Sequence, residues 1–173
     1  MRWIPLMAMT LVLAPPAWSE EGGSKEFVLE VPGDVTGELE HEGQAFVETW
    51  KVEAGAILRA KGPRYVVIKL GEFGAVLFGP PEENHGLFRC GAFPLREVLD
   101  PTGAGDTFLG ALAGYLASLG TTDYQFHQIR DAVVRGTVMA SFTCEAFSTR
   151  RLESLTKEDL DHRIEAFRKA TLW

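Results

Sequence analysis

The 173-residue chain is poor in the residues that build metal and redox sites. Its two cysteines, Cys90 and Cys144, are not part of a Cys-x-x-Cys spacing, and its four histidines are scattered through the sequence. Metal-binding and redox motifs depend on short, regular spacings of these residues. We therefore expect no metal site built from cysteine and histidine, no redox motif, and two free thiols.

Basic residues are also scarce. The chain has 17 Lys and Arg residues against 24 Asp and Glu residues, which gives a formal net charge of -7 at pH 7. Proteins that bind nucleic acid neutralise its phosphates with a surplus of Lys and Arg. The charge balance therefore argues against a nucleic-acid partner.

The N-terminal residues 1–24 form an apolar leader and a short linker. Arg2 precedes an apolar run over residues 3–14, and Ala17-Trp18-Ser19 resembles a cleavage site, as in a secretory signal. A membrane-spanning helix needs about 20 apolar residues, so we expect no stable membrane span. The alternative is an apolar strand or helix that packs on the domain. We expect a cytoplasmic protein, with export as the alternative that this pattern leaves open.

From residue 51 onward the sequence alternates between helical and strand patterns. "RYVVIKL" (64–70) and "AVLFG" (75–79) are predicted strands joined by the tight turn "GEFG", and "LFRCGAF" (87–93) is a third short strand. Before them, "VEAGAILRAKG" (52–62) is a predicted helix. Its predicted packing face consists of Val52, Ala56, Ile57 and Ala60.

Two long helical patterns follow, over residues 107–120 and 124–147. Thr156 and Asp159 then form a capping box, T-x-x-D, before a last helix. This order of helix, three strands and helices predicts a three-layer α/β fold in which helices pack on a sheet. Residues 25–50 have a weak pattern and are left unassigned.

The stretch "DPTGAGDTFLGALAGYLASLG" (100–120) places glycines where a helix begins. The first backbone N–H groups of a helix have no acceptor within it, and they carry the positive end of the helix dipole. Because glycine lets a ligand approach the backbone closely, Gly103-Ala104-Gly105 can form an anion hole for a phosphoryl group. Asp106 can accept the proton of an attacking hydroxyl. The alternative is a tight turn in which Asp106 only complements the helix dipole.

This stretch resembles the C-terminal signature of the ribokinase-like (PfkB) sugar kinases, D-[TP]-T-G-A-G-D-x-F. "GPRYVVIKLGEFGAVLF" (62–78) resembles the strand–turn–strand of that family, and "ASFTCEAFSTRRLESLT" (140–156) resembles its late helix and loop. The resemblance covers roughly residues 52–167. It implies a three-layer ribokinase-like sheet with flanking helices, of which this chain has the C-terminal half.

The resemblance also implies functional residues and cofactors. ATP with Mg²⁺ is the expected cofactor, K⁺ is a further one, and the loop after Met139 is expected to touch the adenine. No G-x-x-x-x-G-K-[ST] sequence is present, so a P-loop NTPase is not supported. The implied residues are the catalytic base Asp106, the anion hole Gly103, Ala104 and Gly105, the nucleotide-side turn Lys69, Gly71 and Gly74, and the monovalent-cation ligands Asp100 and Thr102.

Family members are longer than the matched region, and their sugar-contacting half is not recognised in residues 1–50. We therefore expect residues 51–173 to be the C-terminal nucleotide-binding and catalytic portion of a truncated kinase. It would phosphorylate a sugar or sugar-like hydroxyl with ATP, alone, as a homo-oligomer or with a partner chain. One alternative is a weak or inactive remnant that binds nucleotide or a partner chain, and a remoter one is an exported α/β protein of unrelated function.

Overall fold

The computed structural model describes the backbone of residues 10–13 and the whole of residues 54–83 and 86–171. The unassigned segment 25–50 lies outside the described residues. In chain order the elements are β1 (Thr10–Leu13), α1 (residues 54–60), β2 (Tyr65–Lys69), β3 (Ala75–Phe78), β4 (Leu87–Cys90), α2 (Ala104–Ser118), α3 (Phe126–Thr143), α4 (Arg150–Glu153) and α5 (Lys157–Thr171).

The four strands form one sheet in the order β1-β2-β3-β4, and each strand is antiparallel to the next. β2 and β3 are rich in β-branched and other apolar residues, which fit a buried, pleated strand. A 3-10 turn, Gly71–Phe73, joins them, and Gly74 follows with a φ of 89°. That left-handed value favours glycine, since a side chain is strained there. The predicted strand–turn–strand is confirmed.

The sheet lies between two layers of helices, because alternate residues of each strand point to opposite faces. One face packs against Ala54 and Leu58 of α1 and consists of Val66, Ile68, Leu70, Val76 and Phe78. The other face packs against α2 and α3 and includes Tyr65, Val67, Ala75, Leu77 and Cys90. The three-layer α/β arrangement expected from the sequence is therefore present.

The predicted packing face of α1 is wrong. Ile57 is 59% exposed, and Ala56 and Ala60 are exposed as well, whereas Val52 lies outside the described residues. The helix instead turns Gly55 toward the sheet, where an added Cβ would lie 2.5 Å from the Phe78 ring. Because the helix approaches the sheet through this glycine, the described apolar residues that helical periodicity assigns to the packing face point to solvent instead.

The later helices pack on the other face of the sheet. α2 buries Phe108, Leu112 and Leu116 against α3, and α5 packs onto the same core through Phe167. The predicted capping box is confirmed. The Asp159 amide donates to Thr156 Oγ1 at 3.1 Å, and the Thr156 amide donates to Asp159 Oδ2 at 3.1 Å. Over the residues described, no helix is both long enough and apolar enough to cross a bilayer.

Candidate active site

A cleft of about 570 Å³ lies beside the start of α2. Its walls come from the turn between β2 and β3, the segment between β4 and α2, the first turns of α2, and the C-terminal end of α3. Five residues that the family resemblance singled out line this one space. They are Lys69, Gly71, Gly74, Ala104 and Gly105.

A glycine forms the N-cap of α2. Gly103 is the N-cap residue with φ 81°, in the left-handed region, and its carbonyl accepts the Thr107 amide at 2.9 Å. The Ala104 amide donates to the Pro101 carbonyl at 3.1 Å. Within the described part of the chain, no side chain caps this end of α2. The amides of Gly105 and Asp106 come next, and the geometry of a helix gives them no acceptor within it.

Asp106 lies in the first turn of α2, with an exposed side chain. Of the described residues, the cleft lining includes Gly105 directly before it but not Asp106 itself. Its carboxylate is therefore open to solvent beside the cleft. A carboxylate in this position can accept a proton from a hydroxyl group that approaches the N-terminus of α2.

Lys69 joins the end of β2 to the start of α2. Its Nζ donates a hydrogen bond to the Gly105 carbonyl at 3.1 Å and lies 5.8 Å from the centre of the Phe108 ring. Burial lowers the pKa of Lys69 below its ordinary value, whereas the charge of Asp106 acts to raise that pKa. The cleft therefore contains a half-buried cation next to the proposed anion hole.

Asp100 and Thr102 shape the loop before α2. The Thr102 amide donates to Asp100 Oδ1 at 2.9 Å. Hydrogen bonds from the Thr102 side chain and backbone, joined by one from the Ser148 backbone, lower the pKa of Asp100. The described lining of the cleft includes neither Asp100 nor Thr102. Their carboxylate and hydroxyl oxygens are hard donors of the kind that hard cations take, so the pair fits a cation in chemistry.

The end of α3 holds this loop and α2 in place. The Cys144 carbonyl accepts the Leu99 amide at 2.8 Å and the Asp100 amide at 3.4 Å. Thr143 Oγ1 donates to Thr107 Oγ1 at 2.9 Å, which ties α3 to the first turn of α2. These contacts fix the backbone on both sides of Gly103.

Sequence reasoning missed part of the cleft wall. The segment Ala92–Leu95 and Val98 line the cleft, but the sequence predicted a strand over residues 87–93. β4 ends at Cys90. Pro94 was the available signal, because proline cannot donate to a strand ladder. The segment after Met139 was expected to be a loop, but α3 continues to Thr143. Ala140, Ser141 and Cys144 do line the cleft, and their contact with adenine stays a prediction.

Both thiols are free, as predicted, and Cys144 lies at the cleft. Burial raises the pKa of the Cys144 thiol, and the charges of Asp100 and Glu145 raise it further. Burial likewise raises the pKa of Cys90, whereas a hydrogen bond with Thr137 acts to lower that pKa. Because the thiolate is the nucleophile, neither residue is prepared for nucleophilic chemistry.

Comparison with known proteins gives a family match and a set of similar structures. The sequence model of the pfkB family carbohydrate kinases matches residues 38–156. Aminoimidazole riboside kinase from Salmonella enterica is 25% identical with a TM-score of 0.54, over 66% of this chain and 36% of that one. A second structure of that kinase contains aminoimidazole riboside and an ATP analog.

Two further structures share the fold. Ribokinase from Giardia lamblia is 16% identical with a TM-score of 0.57, over 69% of this chain and 38% of that one. Arabidopsis thaliana ribokinase, complexed with ribose and ATP, is 22% identical with a TM-score of 0.54, over 68% of this chain and 34% of that one. The matched part of this chain thus spans about a third of the length of each structure.

Proposed function

Because this chain belongs to the pfkB family of carbohydrate kinases, we propose that it uses ATP to phosphorylate a sugar or sugar-like hydroxyl. The observation that carries the proposal is the N-terminus of α2. There Gly103 to Asp106 begin a helix that no described side chain caps, beside a cleft of about 570 Å³. Similar kinases with bound ATP or an ATP analog support ATP as the phosphoryl donor.

The anion hole is assigned to the backbone of Gly103, Ala104 and Gly105. Phosphoryl transfer depends mainly on positioning and on stabilising the charge of the transferred group. Amides at a helix N-terminus supply fixed donors and the positive end of the helix dipole. They can therefore hold the terminal phosphate while it moves to the acceptor.

Asp106 is assigned as the general base. It follows directly on the anion hole, and its carboxylate is exposed beside the cleft. A hydroxyl that attacks a phosphate held by the preceding amides must lose its proton close to this carboxylate. This assignment gives the exposed acid in the first turn of α2 a chemical role.

The other side of the cleft is assigned to the nucleotide. Lys69, Gly71 and Gly74 line it from the turn between β2 and β3. Mg²⁺ bound with ATP would neutralise phosphate charge. Asp100 and Thr102 are the residues that we assign to a monovalent cation, because they bring oxygen donors to the loop before the anion hole.

A second candidate is a protein that binds nucleotide but transfers phosphate weakly or not at all, alone or with a partner chain. The matched part of this chain spans 36% of the length of the Salmonella kinase. The functional residues assigned above belong to the phosphate and nucleotide side of a kinase site. Holding the acceptor is a large part of catalysis by positioning, so the acceptor side decides between the two candidates.

The test is a transfer assay with separate measurement of binding. The purified chain is incubated with ATP–Mg²⁺ and a panel of sugars and nucleosides, and ADP and the phosphorylated product are quantified. Product that depends on the acceptor supports the kinase. Calorimetric binding of ATP without product supports the second candidate, and no heat at millimolar ATP contradicts both.

A further inference from the structure

The ammonium of Lys69 contacts the backbone of the proposed anion hole itself. Its Nζ lies 3.1 Å from the Gly105 carbonyl oxygen, although the two residues are 36 positions apart in the sequence. An added Cβ at Gly105 would lie 2.9 Å from this Nζ. The missing side chain of Gly105 therefore leaves the space that the ammonium takes.

Holding the Gly105 carbonyl also fixes the next amide. The Gly105 carbonyl and the Asp106 N–H belong to one planar, trans peptide unit, so they point in opposite directions. A glycine in the first turn has unusual freedom of φ and ψ. A hydrogen bond to its carbonyl restricts that freedom and keeps the Asp106 N–H directed out of the N-terminus of α2.

Lys69 is also suited to meet a phosphate. It lines the cleft together with Ala104 and Gly105, and an ammonium has three donors, of which the Gly105 carbonyl takes one. A half-buried charge interacts more strongly with an arriving anion than a solvated one, because water screens it less. The contact with the Phe108 ring adds a second restraint on its position.

We propose that Lys69 is a positioning residue of the anion hole, which fixes the Gly105–Asp106 peptide and keeps a positive charge beside the terminal phosphates. This inference rests on the proposed function. It assigns Lys69 to the phosphate end of the nucleotide, whereas the turn that it precedes was expected to border the nucleotide in general. Loss of a residue that contacts the nucleoside would weaken the binding of every adenine nucleotide alike. Loss of a residue that contacts the terminal phosphates would weaken the binding of ATP more than that of AMP.

The test compares ligands that differ in phosphate number. Calorimetry gives the dissociation constants of ATP–Mg²⁺ and of AMP for the wild type and for Lys69→Met, Lys69→Gln and Lys69→Arg. Lys61→Met is the matched control, because Lys61 is an exposed lysine in the turn after α1. Methionine and glutamine remove the charge with different side-chain polarity, and arginine keeps the charge.

We expect Lys69→Met and Lys69→Gln to weaken ATP–Mg²⁺ binding by roughly tenfold or more, the equivalent of one hydrogen bond to a charged group. AMP binding should change little, Lys69→Arg should recover part of the loss, and Lys61→Met should match the wild type. Equal losses for ATP and AMP, or no loss for either, overturn the inference. If the wild type itself binds no ATP, the proposed function fails and the inference falls with it.

A second measurement needs no nucleotide. The carbonyl ¹³C resonance of Gly105 reports on the hydrogen bond that this oxygen accepts. It should move in Lys69→Met and stay close to its wild-type position in Lys69→Arg and Lys61→Met. An unmoved Gly105 carbonyl in Lys69→Met, with normal ATP binding by the wild type, overturns the positioning role and leaves the proposed function intact.

Discussion

The two long helices that pack against each other, α2 and α3, begin in opposite ways. At α3 the Phe126 amide donates to Glu83 Oε2 at 2.7 Å, and the Gln125 amide donates to Gln128 Oε1 at 2.8 Å. At α2 the N-cap is Gly103, and no side chain of the described residues caps it. Side chains therefore accept the first amides of α3, whereas at the start of α2 the Ala104 amide donates to the Pro101 carbonyl and the amides of Gly105 and Asp106 are the ones that we propose for a ligand.

The acidic residues at the two sites differ in the same way. Glu83 accepts hydrogen bonds at 2.9 Å from both Arg64 and Tyr65, in addition to the Phe126 amide. Burial acts to raise the pKa of Glu83, but the hydrogen bonds from Arg64, the Phe126 amide and Tyr65 outweigh it and hold that pKa below its ordinary value. Glu83 is therefore a structural acid, whereas Asp106 is exposed to solvent.

Removing the charge of Asp106 should have the largest effect. We expect Asp106→Asn to lower the rate of phosphoryl transfer by roughly 10²- to 10⁴-fold, the usual contribution of a general base. Its free energy of unfolding should stay within about 0.5 kcal/mol of the wild type, because the side chain is exposed. Asp161→Asn, at an exposed aspartate of α5, is the control. An Asp106→Asn protein with wild-type turnover would remove Asp106 as the base.

A change at Glu83 should lower stability and leave ligand binding unchanged, the reverse of what we expect at Asp106. Glu83→Gln removes the charge that three donors share, so we expect it to lower the free energy of unfolding by roughly 1–3 kcal/mol. ATP binding by the folded protein should not change. Urea unfolding measures the effect, and the exposed neighbour Glu82, changed to Gln, is the matched control. If Glu83→Gln is as stable as Glu82→Gln, the contrast between the two helix ends is wrong.

The backbone at the start of α2 should tolerate a side chain poorly. At φ 81° a Cβ on Gly103 is strained even though its nearest neighbour, Thr143 Cγ2, would be 4.0 Å away. We expect Gly103→Ala to cost about 1 kcal/mol of stability. Gly110→Ala in the interior of the same helix, where an added Cβ meets no atom within 4 Å, should instead stabilise the protein by about 0.5–1 kcal/mol. Thermal unfolding of both variants decides whether the strain is local to the N-cap.

The smallest effect concerns pH. Because the folded-state pKa of Glu83 lies below its ordinary value, the carboxylate contributes stability above about pH 4.3 and loses it as the pH falls through the folded-state pKa. The stability difference between wild type and Glu83→Gln should therefore be full at pH 7 and shrink below pH 4. Urea midpoints at pH 7 and in acid test this. A difference that stays constant or grows in acid would contradict the network.

Local patterns predicted the elements better than their contacts. The β-branched residues of β2 and the capping box at Thr156 are local signals, and both predictions are confirmed. The prediction of which face of α1 packs on the sheet was wrong, because Gly55 is the residue through which that helix approaches the sheet closely. Such close approaches depend on the surface of the sheet against which the helix packs. The spacing of apolar residues along the helix carries no information about that surface.

In the candidate site, too, local patterns predicted more than long-range contacts could. The residues at the start of α2 and in the turn after β2 were found through contiguous motifs, and five of them do line one cleft. The bond from Lys69 to Gly105 and the cap of α3 by Glu83 join residues that are 36 and 43 positions apart. No local spacing encodes those contacts, since the folding of the sheet against the helices creates them.

An amide NMR titration of the wild-type protein with ATP–Mg²⁺ measures directly whether the start of α2 binds the nucleotide. We expect saturable shifts at the amides of Gly103, Ala104, Gly105 and Asp106, while those of Phe126 and Gln128 at the capped start of α3 stay in place. Saturable binding that leaves the start of α2 unmoved, or no shift anywhere at millimolar ATP, would contradict it.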